Sequence, residues 1–303
     1  MKRKYKVYQI NSFTQEKFSG NPAGVVVDAQ GLTDLEMRLI ARELNNSETA
    51  FLLPASPTNN DYDVEVRFFT PTTEVPICGH ATIAAHFVRA LETQVKSGQS
   101  YFQKTKAGIL PIEIVDDNGL VKIKMTQGKI SFTAIERAQQ LSIIGALGLV
   151  ETDLLENSPV EIVSTGHSKV LIGIKSRKKL NDLSPVMYKL KEISSQIHCN
   201  GYFVFTFDSD SRDILTHGRM FAPAIGIDED PVTGNANGPL GAYIVKHNLI
   251  KHDRDSFSFT AKQGEAMGRV GTLDVMVEIS EGIPKKVSIL GGAVSVFETT
   301  IEL

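Results

Sequence analysis

RFFTPTTEVPICGHA, residues 67–81, is written a second time in this chain as RMFAPAIGIDEDPVTGNA, residues 219–236. Arg67, Phe69 and Pro71 return as Arg219, Phe221 and Pro223 at an offset of 152, and TAFLL (49–53) returns at the same offset as GYFVF (201–205). After a three-residue slip the offset becomes 155, so that Pro76, Gly79 and Ala81 return as Pro231, Gly234 and Ala236. Two copies of one structural unit are therefore expected. The symmetry breaks where side chains ionise: Glu48 faces Asn200, Cys78 faces Thr233 and His80 faces Asn235. Structure is kept twice and reactive chemistry once.

A chain of 303 residues is long for one domain and ample for two of about 150 residues, each able to bury its own core. The repeat period is far too long for a solenoid. The composition, 42% apolar and 22% charged with a net charge of −3, is that of an ordinary soluble protein. It has no basic stripe with interleaved aromatics, so no nucleic-acid partner is expected. MKRKYKVYQI (1–10) carries the basic residues of a signal peptide, but no apolar segment follows and no later run could span a bilayer. A cytoplasmic protein with no membrane partner is the expectation. Two cysteines in different contexts, Cys78 and Cys199, fit a reducing compartment and no disulfide framework.

Period-2 apolar patterning marks strands in KVYQINSF, AGVVVD, TAFLLP, VEVRFFT, ILPIEIV, VKIKM, KVLIGI, YFVFTF, DVMVEI and KVSILGGAVSVFE. Helical patterning is confined to about 34–44, 79–91, 134–147, 186–197 and 238–247. Runs of strands around isolated helices predict an α+β architecture rather than regular βαβ alternation. In each half one helix, opening at GHATIAAHFVRAL (79–91) or GNANGPLGAYIV (234–245), is apolar around most of its circumference and should lie inside its own sheet. Asp116-Asp117-Asn118-Gly119 reads as a hairpin turn, and the first crossover between halves is expected between about 115 and 131. The last β segment, KVSILGGAVSVFETTIEL (286–303), is expected to complete the first domain's sheet and so limit its exposed edges.

Both copies place a Pro, two residues and a Gly before the buried helix. The first N–H groups of a helix lack internal partners and sit at the positive end of its dipole, which suits a carboxylate or phosphate. The small residues of Gly79-His80-Ala81-Thr82 and Gly234-Asn235-Ala236-Asn237 let a ligand approach the backbone. Facing each other across an inter-domain cleft, two such ends would hold a small anionic metabolite. For a single copy, helix capping by Gly and Asn is the simpler reading. Glu48, in NNSETAFLL, follows a helix and precedes an apolar strand, a partly desolvated place in which a carboxylate can both take and return a proton. A capping or solvated glutamate is the structural alternative. Asp230, in IDEDPVTG, either complements a helix dipole or orients substrate.

Cys78, beside Gly79-His80, suggests a thiol nucleophile or base. A two-thiol racemase needs a second cysteine where Thr233 stands. Cys199 reads as packing, and His86, inside the apolar helix, as a core residue. For metal, Cys78 and His80 form one C-x-H pair with no partner pair, so no metal site is expected. There is no G-x-G-x-x-G after a strand and no P-loop, so no dinucleotide cofactor is implied. Asn21, in SGNPAG, marks a turn or faces the cleft.

Taken together, GNPAGVVV, NSETAFL, FTPTTEVPICGHATIAA and GIDEDPVTGNANGPLGAY resemble the PhzF-like (phenazine-biosynthesis-like) isomerases over essentially the whole chain, most closely the YddE-type branch. The resemblance implies the diaminopimelate-epimerase-like fold: two pseudo-symmetric α+β domains, each a barrel-like sheet around a central helix. Their expected extents are 1–120 with about 288–303, and 121–287. It also implies Glu48 as the general acid/base, a substrate site lined by Gly79, His80 and Asp230, no cofactor, and a homodimer. PhzF proper has Ser where this chain has Asn235, a departure at a substrate-lining position beside Gly234. Fold kinship alone does not set function. The leading expectation is a cofactor-independent isomerase moving a proton within a small carboxylate through Glu48. The alternatives are a cysteine-dependent amino-acid racemase or epimerase, and a non-catalytic metabolite-binding or interaction module.

Overall fold

A computed structural model of the protein describes residues 2–56, 61–93 and 98–303. The chain divides into two compact units, Met1–Thr126 with Leu290–Leu303, and Gln127–Ile289. The first unit contains β1 (Lys4–Ser12), β2 (Asn21–Val26), α1 (Asp34–Leu44), β3 (Thr49–Pro54), β4 (Val64–Phe69), β5 (Glu74–Val75) and α2 (Gly79–Thr93). It continues with β6 (Ser100–Thr105), β7 (Gly108–Asp117) and β8 (Leu120–Thr126). The second unit opens with β9 (Ile130–Ala134), α3 (Arg137–Ala146), β10 (Glu161–Thr165), β11 (Ser168–Gly173), α4 (Arg177–Asn181) and α5 (Met187–Ile197). β12 (Tyr202–Thr206), β13 (Thr216–Ala222), β14 (Ile227–Asp230), α6 (Gly234–Lys246), β15 (Ser256–Gln263) and β16 (Gly271–Ser280) follow. The long β17 (Ile283–Glu302) runs from the second unit into the first.

In the first unit the ladders run β1–β2, β2–β3, β3–β4, β4–β6, β6–β7, β7–β8, β8–β17 and β17–β1, which closes a barrel of eight strands. Only β2–β3 and β4–β6 are parallel, and each parallel step needs a crossover helix. α1 makes the first outside the barrel and α2 makes the second through its middle. The difference is written in the side chains. α1 buries Met37, Ile40 and Ala41 against Val7, Val26, Phe51 and Phe69 and turns its charged residues to solvent. α2 buries ten of its fifteen residues around its whole girth, and its many alanines keep it thin enough for an eight-stranded interior.

The second unit repeats this order. β10–β11 is antiparallel, β11–β12 parallel, β12–β13 antiparallel, β13–β15 parallel and β15–β16 antiparallel. α6 takes the place of α2, and α3 and α5 cover the outer face through Ile143, Leu147, Leu190 and Ile193 packed on Tyr202, Val204 and Phe221. α6 sits flush on the sheet: a Cβ on Gly241 would come within 2.6 Å of Val275 Cγ1. Its first turn starts at Gly234, as the reading of GNANGPLGAYIV expects, four residues before regular helical patterning sets in. Gly, Asn and Pro239 hide helical periodicity there, and Gln127 Nε2 donates at 2.9 Å to the Gly234 carbonyl.

Arg67 and Arg219 show why the repeat exists. Arg67 grips both carboxylate oxygens of Glu74 at 2.8 Å and lies 5.1 Å over the Phe69 ring. Arg219 grips Glu229 at 2.9 and 2.7 Å and lies 5.0 Å over Phe221. The three-residue slip therefore falls between Pro71 and Glu74, whose counterparts Pro223 and Glu229 flank a short 3-10 turn, Pro223–Ile225, ended by Gly226 at φ 82°. Asn118 and Gly119, at φ 55° and 86°, make the two-residue turn of the β7–β8 hairpin, which keeps β8 in the first unit. β17 pairs with β1 from Ala293 to Glu302, with one bulge opposite Gln9 and Ile10.

Candidate active site

Glu48 sits between α1 and β3, and every residue around it has a task. Asn45 ends α1 in the left-handed conformation, at φ 52°. Asn46 exchanges two amide hydrogen bonds of 2.9 Å with Gln9 on β1. The Glu48 carbonyl accepts from Gly24 N at 3.3 Å, an approach only glycine allows, because a Cβ there would lie 2.6 Å from Leu44 and 2.7 Å from Thr49. The backbone is thus clamped on both sides, and the carboxylate faces the N-terminal end of α2.

There Glu48 Oε2 stands 3.6 Å from His80 Nε2, and their side chains are only 15% and 8% exposed. Ser47 Oγ is 3.4 Å from the same nitrogen, and Cys78 Sγ is 3.3 Å from His80 Nδ1. Ser12 Oγ donates to the His80 carbonyl at 2.7 Å, and Thr82 Oγ1 and N both bond the Cys78 carbonyl. These bonds hold the first turn of α2 in place, with its N–H groups at the positive end of the dipole. Gly79, His80 and Glu48 therefore share one pole of the first unit. The sequence offered no third donor for the Cys78–His80 pair. Folding supplies one: donor atoms of Glu48, Cys78 and His80 all lie within 4.8 Å of one another.

The corresponding pole of the second unit carries different groups. Asn200, which takes the place of Glu48, is exposed. The Thr233 hydroxyl donates to Asp230 Oδ2. Gln263 ties the turn together, accepting from Thr233 N and Asn237 Nδ2 at 3.0 Å and donating to the Asp230 carbonyl at 2.8 Å. Gln127 reaches the Gly234 carbonyl and, at 3.4 Å, Asn235 Oδ1. Asp230, Gly234 and Asn235 thus gather at the start of α6. Lys169, a residue not singled out from the sequence, joins them electrostatically: burial pushes its ammonium pKa down against the opposing pull of Cys199 and Asp230. A lysine in the strand KVLIGI carries no motif that would flag it, since only the fold brings it under the electrostatic influence of Asp230. Burial likewise raises the Cys199 thiol, which fits a packing role. His86 is fully buried and bonds Gln103 at 2.9 Å, as expected of a core residue.

A helix threaded through a closed mixed barrel, with the same ladder order repeated in a second unit, is the architecture of the epimerase-like fold. The chain belongs to the phenazine biosynthesis-like (PhzC-PhzF) family, which matches residues 10–299. It is 57% identical to an uncharacterised isomerase of Clostridium acetobutylicum across the full length of both proteins. It is 46% identical to the uncharacterised isomerase YddE of Escherichia coli K12, covering 99% of this chain and 100% of that one. Trans-2,3-dihydro-3-hydroxyanthranilate isomerase of Pseudomonas chlororaphis is 30% identical, with 97% and 98% covered. Among solved structures, a Bacillus anthracis protein of the PhzF family superposes with a TM-score of 0.88 at 30% identity and 99% coverage of each chain. Among the described residues no helix is long and apolar enough to cross a membrane.

Proposed function

We propose that this isomerase moves a proton within a small carboxylate-bearing metabolite, with Glu48 as the single general acid/base and no cofactor. The observation that supports the reading best is the carboxylate of Glu48, 85% shielded from solvent and held at the N-terminal pole of α2, 3.6 Å from His80. A shielded carboxylate beside helix-end N–H groups that have no partner within the helix has what a proton shift needs. Glu48 takes a proton from carbon as that C–H pair enters the adjacent π-system, the N–H groups hold the negative charge that develops, and the same carboxyl returns the proton to another carbon. Atoms and electrons balance within one molecule. Gly79, with no side chain, lets the substrate approach the backbone at this pole. The name of the Pseudomonas relative points to a small ring acid as the substrate class.

Cys78 supports a competing reading, because its sulfur is 3.3 Å from His80 Nδ1, the arrangement of a thiol beside a base. Exchange of solvent deuterium into a turned-over carboxylate, found first by a thermal-stabilisation screen of small acids, decides between them. Glu48→Gln keeps size and hydrogen bonding but cannot shuttle a proton, so exchange should fall by roughly two to four orders of magnitude, while Cys78→Ser keeps most of it. Wild-type exchange by Glu48→Gln, or loss on Cys78→Ser alone, would overturn the assignment.

A further inference from the structure

We propose that Glu48, Cys78 and His80 also form a binding site for a thiophilic divalent cation of the zinc class, and that an ion held there blocks the α2 pole. Three donors of the types zinc prefers, a thiol, an imidazole and a carboxylate, lie within 4.8 Å of one another in a shielded place. His80 Nε2 lies 3.6 Å from Glu48 Oε2 and 4.0 Å from Cys78 Sγ, and the sulfur is nearer to Nδ1, at 3.3 Å, so the imidazole must turn about its Cβ–Cγ bond to present one nitrogen to an ion shared with both. Around tetrahedral zinc, with bonds of about 2.3 Å to sulfur and about 2.0 Å to nitrogen and oxygen, those separations would be about 3.3 and about 3.5 Å. The two His80 pairs need to close by a few tenths of an ångström, and Glu48 and Cys78, within 4.8 Å of each other, by up to about 1.3 Å, through rotation of all three side chains.

The backbone behind the donors is already fixed. Ser12 holds the His80 carbonyl, Thr82 holds the Cys78 carbonyl, and Gly24 holds the Glu48 carbonyl. Such anchoring spares the ion the cost of ordering its ligands. Three protein ligands leave a fourth position for water, on the side where Ser47 Oγ lies 3.4 Å from the ring nitrogen. On binding, the Cys78 thiol gives its proton to solvent and the thiolate takes the ion. The second unit cannot build the same site, because Asn200, Thr233 and Asn235 replace all three donors.

The binding claim rests on the geometry of the pole and not on the acid/base role of Glu48, so its test needs no substrate. Cobalt(II) titrated into reduced full-length protein should give a saturable thiolate-to-cobalt charge-transfer band and the intense visible bands of a four-coordinate ion. Cys199→Ser should keep the band, Cys78→Ser and Cys78→Ala should lose it, and Glu48→Gln should weaken binding by roughly tenfold or more. Zinc-edge X-ray absorption on the unmodified protein guards against a variant that misfolds. It should find one sulfur at about 2.3 Å among nitrogen and oxygen ligands at about 2.0 Å. A shell without sulfur, no saturable band, or a band that survives Cys78→Ser would overturn the site. If the site stands but Glu48→Gln still exchanges deuterium normally, the acid/base reading fails and the metal site does not.

Discussion

His86 should make the protein acid-sensitive above the carboxylate range. The imidazole is fully buried on α2, so desolvation pushes its pKa down to about 4, with the Gln103 hydrogen bond opposing the shift and the charge of Arg89, one turn on, adding to it. In the unfolded chain the same group titrates near 6.5. Below that pH the unfolded state binds a proton that the folded state refuses, so stability is complete above about pH 6.5 and falls as pH drops, levelling off below about 4. At about 1.4 kcal/mol per pH unit the loss is about 2 kcal/mol by pH 5 and roughly 3 kcal/mol in all. Urea unfolding followed by far-ultraviolet circular dichroism, on the wild type and His86→Gln at about pH 7.5 and about pH 5, isolates the effect, because other titrations cancel in the difference. The wild type's advantage over the variant should shrink by about 2 kcal/mol between the two conditions. A difference that is constant with pH would refute the claim that His86 is held neutral by burial.

The two repeat arginines should differ in cost. Arg219→Met should destabilise by about 3–5 kcal/mol, because it strands the shielded Glu229 and the carbonyls of Leu180, Asn181 and Leu183. Arg67→Met should cost less in the same urea titration, since Arg67 is 20% exposed and shares Glu74 with Lys106. Equal losses would contradict this ranking. Gly238→Ala should destabilise by about 1–3 kcal/mol, because the new Cβ would fall 1.8 Å from Gln127 Oε1 and displace the side chain that bonds Gly234 and Thr165. An unchanged melting temperature would show that Gln127 relocates without loss. We also expect a homodimer, by family resemblance, and sedimentation showing only monomer at micromolar concentration would count against it.

The duplication, the class of each main helix and the residues of the poles could be read from sequence because each depends on local order. Repeated side chains reappear at a constant offset, amphipathic and fully apolar helices differ in their periodicity, and Gly before a helix marks an N-terminus in the sequence itself. α4 escaped notice, being too short to show a period. β5, β6, β9, β10, β13, β14 and β15 were also missed as strands, since a strand such as SYFQKT is recognised by its partners more than by its own pattern. What only the tertiary structure decided is distance. Glu48 and His80 are 32 positions apart in the chain and 3.6 Å apart in space, and Lys169 comes under the influence of Asp230, because β2, β3 and the barrel helix are brought together by hydrogen bonds between strands remote in sequence. A sequence states which groups are available. Long-range pairing, whose register depends on every strand at once, sets which of them meet.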